Sequence, residues 1–324
     1  MGLAKNTGKT EALAALLREL EAEGRRVGVT SVGRDGEERD VIDSRLEKPR
    51  VRLPGGSLVA TTDGLLRASG LPHELLERTE MRTPLGRVAI ARLRGPGTIE
   101  VAGPSAAADV RAVSDAMLEH GAEQVLIDGA VDRRAASSPE VSDGLVMSTG
   151  AVLSEDIEEV VSQTRDAVEL ARLPVVEDRA PDGESVRLPP RFALTSDAAG
   201  IAHLLDESPS ARRLIVSGAL PEAFLGDLAH AAHRRRRELA VVVADSTRVF
   251  LWRRGPEWYR RQGVQLRVTR PIEVQALTVN PVAPQSHRFD SAQLRALLAE
   301  AIADVPIFDV LHPDYGPPQR VLAK

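Results

Sequence analysis

The feature that most constrains the fold is the string GLAKNTGKT at residues 2–10, which leads directly into a helical pattern. The chain contains four lysines, and two of them, Lys5 and Lys9, lie in this string, whereas arginine supplies nearly all other positive charge. An ammonium group is a compact charge on a flexible stem, while a guanidinium is a planar fork. Lys9 is therefore expected to reach phosphate oxygens across a narrow loop of backbone N–H groups.

The spacing of the glycines is one residue longer than in the common G-x-x-x-x-G-K-[ST] string, because five residues separate Gly2 from Gly8. This longer loop resembles the variant in dethiobiotin synthetase and its relatives among the P-loop proteins. On that pattern Gly8 lets the backbone close on the phosphates, Lys9 contacts the β- and γ-phosphate oxygens, and the Thr10 hydroxyl ligates Mg²⁺. The residues expected to bind nucleotide in the loop are Gly2, Lys5, Asn6, Thr7, Gly8, Lys9 and Thr10.

A helix is predicted from Lys9 to Glu23, since leucines recur on one face at helical spacing. Its N-terminus would point at the phosphates and add the dipole and free N–H groups that favour an anion. An ordinary amphipathic helix preceded by a glycine is the alternative interpretation.

Only Met1 precedes Gly2, although a P-loop normally joins a buried strand to a helix. We expect that a start codon assigned too far downstream explains the missing strand, and loss of the central strand is the alternative. An upstream reading frame without an apolar run of about five residues, the usual strand length, would argue against the first explanation.

Strand-like runs alternate with helical patterns along the chain, which predicts an α/β fold. We expect a P-loop NTPase-like, mainly parallel sheet with helices on both faces over residues 1–175 and a second α/β domain over residues 191–324. Residues 176–190 are rich in proline, glycine and charge and are predicted to form a linker. Turn signals between Val51 and Ala102 predict antiparallel pairs inserted at the sheet edge.

The individual elements follow from the same patterns. The predicted strands are Arg26–Ser31, Ser57–Thr61, Arg87–Leu93, Thr98–Ala102, Gln124–Asp128, Gly144–Ser148, Arg213–Ser217, Leu239–Ala244, Val249–Trp252, Val264–Val268 and Ala276–Asn280. The further predicted helices are Ser105–His120, Ser154–Leu173, Pro221–His233 and Ser291–Ala303.

The string VLIDGAVDR ends a short apolar strand at Asp128. A carboxylate at the tip of a parallel strand in a domain with a P-loop suits a Walker B role, in which it binds Mg²⁺ or positions the attacking water. Capping of the following turn is the alternative, because Asp-Gly pairs often do this. We therefore predict Lys9 and Asp128 as catalytic residues, and Arg133 as a residue that stabilises phosphate charge.

The string TSVGRDGEERD follows the first visible strand and is dense in carboxylates. In P-loop proteins this loop faces the nucleotide, so one of its carboxylates, Asp35 or Glu37, is expected to hold Mg²⁺ or respond to the γ-phosphate. A solvated acidic turn is the alternative. The predicted metal ligands are thus Thr10, Asp35 and Asp128. No N/T-K-x-D string for guanine recognition is found, which favours ATP as the nucleotide.

Composition excludes several classes of function. A net charge of −5 and a pI near 5.9 argue against nucleic acid as a partner. No apolar run approaches the roughly 18 residues that cross a bilayer, which predicts no membrane association. The absence of cysteine is compatible with the reducing cytoplasm, where we expect the protein to act. The basic run Arg234–Arg237 is interpreted as a solvated helix end.

Several strings occur in matching order with a known family: GLAKNTGKT, TSVGRDGE and VLIDGAVDR, then VSGALPEAFL, VVVADSTRVFL, LTVNP and VPIFDV. Over most of its length the chain resembles the P-loop subunit of the lysine 5,6-aminomutase reactivase. The resemblance implies a chaperone-like factor with slow ATPase activity that uses ATP and Mg²⁺ to release damaged cobalamin from an adenosylcobalamin-dependent aminomutase. It also implies a second reactivase subunit as a partner.

The resemblance extends to individual positions. It matches Lys5, Asn6, Gly8, Lys9 and Thr10 to the nucleotide loop, and Asp35 and Asp128 to acidic positions near it. Two other interpretations remain open. One is an ATP-dependent synthetase like dethiobiotin synthetase, which would form product from a small acid without a protein client. The other is a non-catalytic scaffold with a vestigial loop, which would not bind nucleotide at all.

Overall fold

The computed structural model describes residues 1–33, 50–129, 137–176, 184–284 and 286–312. The α-helices are α1 (Lys9–Ala22), α2 (Asp63–Ala68), α3 (Ala107–Glu119), α4 (Ile157–Ala171), α5 (Phe192–Thr195), α6 (Ala198–Glu207), α7 (Glu222–Arg235), α8 (Pro256–Arg261) and α9 (Ser291–Ala301). The strands are β1 (Val27–Ser31), β2 (Val51–Leu53), β3 (Leu58–Thr62), β4 (His73–Thr83), β5 (Gly86–Leu93), β6 (Gly97–Ile99), β7 (Gln124–Asp128), β8 (Leu145–Gly150), β9 (Ser185–Arg187), β10 (Arg213–Ile215), β11 (Leu220–Pro221), β12 (Leu239–Val243), β13 (Val249–Phe250), β14 (Val264–Val268), β15 (Val274–Asn280) and β16 (Ile307–Phe308).

The N-terminal half is built on a five-stranded sheet with the order β4-β5-β3-β1-β7. Strands β3, β1 and β7 are parallel, whereas β5 and β4 join the edge in antiparallel pairs. The predicted α/β class and the antiparallel insertion at the sheet edge are therefore confirmed. Ser31 lies opposite Asp128 in the register of β1 and β7, so both strands end at the same edge of the sheet.

A second, three-stranded parallel sheet has the order β16-β15-β8. The first residues of the chain run alongside β8, with Gly2 opposite Ser148 in a parallel bridge. This sheet joins strands from both halves of the sequence, because β8 precedes residue 175 and β15 follows residue 191. The pairing therefore crosses the expected linker at 176–190, of which residues 177–183 lie outside the described part of the chain.

A third sheet, with the parallel order β14-β12-β10-β9, comes between α4 and β15 in the sequence. Its central strands β10 and β12 are paired on both sides. The core of this inserted unit is formed with α7 and α8, and its largest fully buried side chains are Phe224 and Tyr259. Two short ladders, parallel β11-β13 and antiparallel β2-β6, complete the described pairing.

Helices α1 and α3 cover opposite faces of the five-stranded sheet. Successive residues of β1 face one helix and then the other, because side chains alternate along a strand. Val27 and Val29 pack in a core with α1, while Gly28 faces α3, where a Cβ would lie 3.1 Å from the Met117 sulfur. Helices α4 and α9 cover β8 and β15 in a separate core. In the described ranges, no helix has the length and apolar character needed to cross a bilayer.

Candidate functional site

The loop between Gly2 and α1 has two residues in left-handed backbone conformation, Asn6 with φ 67° and Gly8 with φ 85°. Between them the Thr7 side chain is buried and donates a hydrogen bond to the Ala4 carbonyl at 3.1 Å. A Cβ on Gly8 would meet the Asn280 Cβ at 3.3 Å, in a φ range that side chains disfavour. Both the conformation and the space around position 8 therefore favour glycine.

Helix α1 begins at this loop without a side-chain cap, because its N-cap residue is Gly8. The first N–H groups of a helix have no partner within the helix, and the dipole there attracts negative charge. Thr10 is exposed in the first turn, and Lys5 is exposed in the loop. The predicted loop residues are thus arranged around the open start of a helix, a geometry that suits a phosphate group.

The Lys9 side chain reaches from α1 to the end of β7. Its ammonium nitrogen lies 2.6 Å from Asp128 Oδ1 and donates a hydrogen bond to the Gly129 carbonyl oxygen at 2.9 Å. Both side chains remain about one quarter exposed, at 28% for Lys9 and 26% for Asp128. The structure thus brings together the two residues predicted as catalytic, although 119 positions separate them in the sequence.

The segment after β1 starts at the same edge of the sheet. The Ser31 hydroxyl donates to the Val101 carbonyl and accepts from the Gly103 N–H, each at 3.1 Å. A Cβ on Gly103 would approach the Ser31 carbonyl oxygen to 2.0 Å, so this close contact requires glycine. These bonds fix where the acidic string begins, beside Asp128. Its predicted ligand Asp35, together with Glu37, lies outside the described residues, and so does Arg133.

Sequence reasoning missed one residue of the site, Asn280 at the end of β15. Its Nδ2 donates to the Asn6 carbonyl at 3.0 Å, and its Oδ1 accepts from the Val282 N–H at 3.1 Å. The amide thereby holds the left-handed turn of the loop against the three-stranded sheet. An available signal was the string LTVNP, in which a polar amide ends an apolar run just before a proline.

The oxygen ligands that the site offers fit a magnesium–nucleotide complex better than an all-protein metal centre. Among the described residues, no cluster of three or more His, Asp or Glu side chains could hold a metal ion. The Thr10 hydroxyl and the Asp128 carboxylate stand near the loop. Mg²⁺ is commonly held by one or two protein oxygens together with phosphates and water. This donor set therefore fits Mg²⁺ only in company with a phosphate ligand.

Comparison with known proteins adds no family: a scan against protein-family models and searches of curated proteins and of solved structures find no significant match to this chain. The site is therefore interpreted from its own geometry. That geometry combines an uncapped helix start, a glycine loop and a lysine–carboxylate pair at the carboxyl edge of a parallel sheet, where open α/β sheets bind ligands.

Proposed function

We propose that this chain has a P-loop NTPase-like fold and binds Mg-ATP at the loop from Gly2 to Thr10. The observation that carries the proposal is the contact of Lys9 with Asp128 at the start of α1. A cation held at an uncapped helix start can contact phosphate oxygens, and a carboxylate beside it can hold Mg²⁺ directly or through water. Thr10 supplies a second oxygen ligand in the first turn.

In the structure Asp128 balances the charge of Lys9. Phosphate oxygens would take over that role and leave the carboxylate available to Mg²⁺. Asn280 keeps the loop backbone in place through its bond to the Asn6 carbonyl. Hydrolysis of bound ATP would supply the free energy for work on a client. The loop from Gly2 to Thr10 would bind and orient the phosphates of ATP at the carboxyl edge of the parallel strands.

Calorimetric titration with Mg-ATP and Mg-GTP tests the nucleotide proposal. Lys9→Ala should weaken ATP binding by at least about tenfold, because it removes a charge-assisted contact. Arg18→Ala is the matched control, since it removes one exposed positive charge from the same helix, and it should change the affinity by less than about twofold. Equal ATP affinity for Lys9→Ala and the parent chain would overturn the proposed role of Lys9.

We further propose that the bound ATP serves an adenosylcobalamin-dependent aminomutase, from which this factor would release damaged cobalamin with the help of a second subunit. This part rests on the sequence resemblance. A ligand shifts an equilibrium only by its different affinities for the two states, so ATP must favour one conformation of the factor. The acidic string that follows Gly33 in the sequence is the segment we expect to respond.

An aminomutase loaded with hydroxocobalamin provides the client test. ATP and Mg²⁺ should speed the release of its cobalamin in the presence of this chain and the second subunit, measured by absorbance after gel filtration. Lys9→Ala should fail to do so while Arg18→Ala succeeds. ATP-dependent product formation from a small acid without any client would favour a synthetase instead, and absence of nucleotide binding would favour a scaffold.

A further inference from the structure

Strand β7 lies at the end of the five-stranded sheet in the described part of the chain. It pairs with β1, and no described strand pairs with its other side. All five residues of β7 are partly exposed, whereas all five of β1 are buried. The Asp128 carbonyl accepts from Val32 on the β1 side, so the alternate residues Val125 and Ile127 direct their N–H and C=O groups to the open side.

Strand β8 faces the same space. Backbone hydrogen bonds join β8 to residues 1–3 on this side. The Leu3 N–H donates to the Ser148 carbonyl at 2.9 Å, and the Ser148 N–H donates to the Met1 carbonyl at 2.7 Å. The amino group of Met1 then donates to the Val146 carbonyl at 2.6 Å. Alternation along β8 points the Val146 N–H toward the position next upstream of this ladder.

A cleft of about 350 Å³ lies between these two edges, and we call it the β7–β8 cleft. Its walls include Leu16 from α1 and Leu118 from α3, and Leu118 is 44% exposed. The Gln124 side-chain oxygen is buried on the wall without a hydrogen-bond partner in the described residues. Unpaired strand edges, an exposed leucine and an unsatisfied buried oxygen all indicate that something fills this space.

We propose that the β7–β8 cleft receives a β-strand of about five residues that lies parallel to β7 and β8 and runs directly into Met1. The five-stranded and three-stranded sheets would then become one continuous sheet. Because Gly2 lies opposite Ser148, the residue immediately before Met1 would lie opposite Val146, and the residue two positions further upstream opposite Gly144. Helices close both faces of the sheet, so this strand must be apolar on both sides.

The environment of Met1 supports a strand that is joined to it rather than one from another molecule. The pKa of the Met1 amino group is lowered from its ordinary value of 8.0 to about 5, first by burial and then by the nearby Lys9, while Asp128 acts in the opposite sense. A peptide N–H at this position would make the same bond to Val146 without a charge to desolvate. A separate strand would end with its own terminus against that amino group.

The inference does not depend on nucleotide binding, and its test does not use nucleotide. Two versions of the full chain carry an N-terminal extension of about five residues, one rich in valine and isoleucine and one of glycine and serine. Hydrogen exchange is followed for peptides that contain Val125, Ile127 and Val146. The apolar extension should slow their exchange by about 100-fold and raise the Tm, because it pairs both edges. The glycine–serine extension should leave exchange as in the parent chain.

A second variant distinguishes strand pairing in the cleft from a general stabilising effect of the extension. Val125→Pro removes an N–H that faces the cleft, without removing a bond to β1. In the chain with the apolar extension it should abolish most of the added protection of β8, while the parent chain should tolerate it. Equal exchange with the two extensions, or equal protection by a free peptide of the same apolar sequence, would overturn the proposal. Full protection of β7 in the parent chain would overturn it as well.

Discussion

Two helices of this chain start at the carboxyl edge of a parallel sheet, and their N-termini differ. Neither helix has a side-chain cap, but α1 follows Gly8 and has the Lys9 ammonium beside it. Helix α7 starts with Glu222, whose side chain is buried. That carboxylate accepts from the N–H groups of Trp252 and Arg253, each at 3.2 Å, and from the Tyr259 hydroxyl at 3.4 Å.

The comparison shows that the two helix starts differ in the charge beside them and not in capping. At α7 the negative charge is supplied internally and tied to the neighbouring loop, so an added anion would be repelled. Burial and the adjacent Glu222 carboxylate raise the pKa of Tyr259, which keeps the phenol protonated as a donor. At α1 a cation lies beside the helix start, and among the described residues Asp128 is the one carboxylate that contacts it, so an added anion would be attracted.

The largest effect is expected from the buried amino group of Met1, in the segment that leads to α1. The folded pKa of the Met1 amino group, about 5, lies below its ordinary 8.0. The unfolded state therefore binds more protons between these values, so stability is complete above about pH 8 and falls as the pH drops toward 5. The free energy of unfolding should fall by at most about 4 kcal/mol across this window.

Urea unfolding at several pH values measures this dependence. An Nα-acetylated chain is the control, since it has no amino group to protonate, and the mass of each sample verifies that Met1 is retained. The difference between the two chains should grow as the pH falls. Identical pH profiles would show that the amino group is not buried as described.

An intermediate effect is expected at the start of α7, where the Glu222 carboxylate is buried. Glu222→Ala leaves two backbone N–H groups and the Tyr259 hydroxyl without their acceptor, and it should lower the free energy of unfolding by about 3 kcal/mol. Glu222→Gln keeps one acceptor oxygen and should cost less. Chemical denaturation of both variants measures the effect, and equal stability of all three chains would remove Glu222 from the comparison.

The smallest effect is expected from a pair of glycine substitutions in the loops that lead to the two helices. Gly8→Ala should cost about 1–2 kcal/mol, because a side chain is strained at φ 85° and meets Asn280. Gly218→Ala lies before α7 in open space and should be neutral or stabilise by up to about 1 kcal/mol. Thermal unfolding of the two variants distinguishes them, and a similar Tm change for both would contradict the special geometry of the loop.

Much of the secondary structure could be predicted because it is encoded locally. The bounds of β7 and β14 agree with the sequence prediction, since β7 is a short apolar run and β14 alternates apolar and polar residues between clear breaks. Strand β4 was not predicted as a separate strand because its sequence HELLERTEMRT has no regular apolar face, and it forms at an exposed edge by pairing with β5. Helix α6 was missed although Asp197 caps it.

The sequence by itself determined the α/β class, the glycine loop before an amphipathic helix, and the pair of residues expected at the site. These depend on side-chain periodicity and local backbone preference, which act over a few residues. Only the tertiary structure decided that Lys9 meets Asp128, that Asn280 holds the loop, and that β15 returns past an inserted unit to pair with β8. Such contacts join residues far apart in the chain, where register and packing, rather than local preference, select the partner.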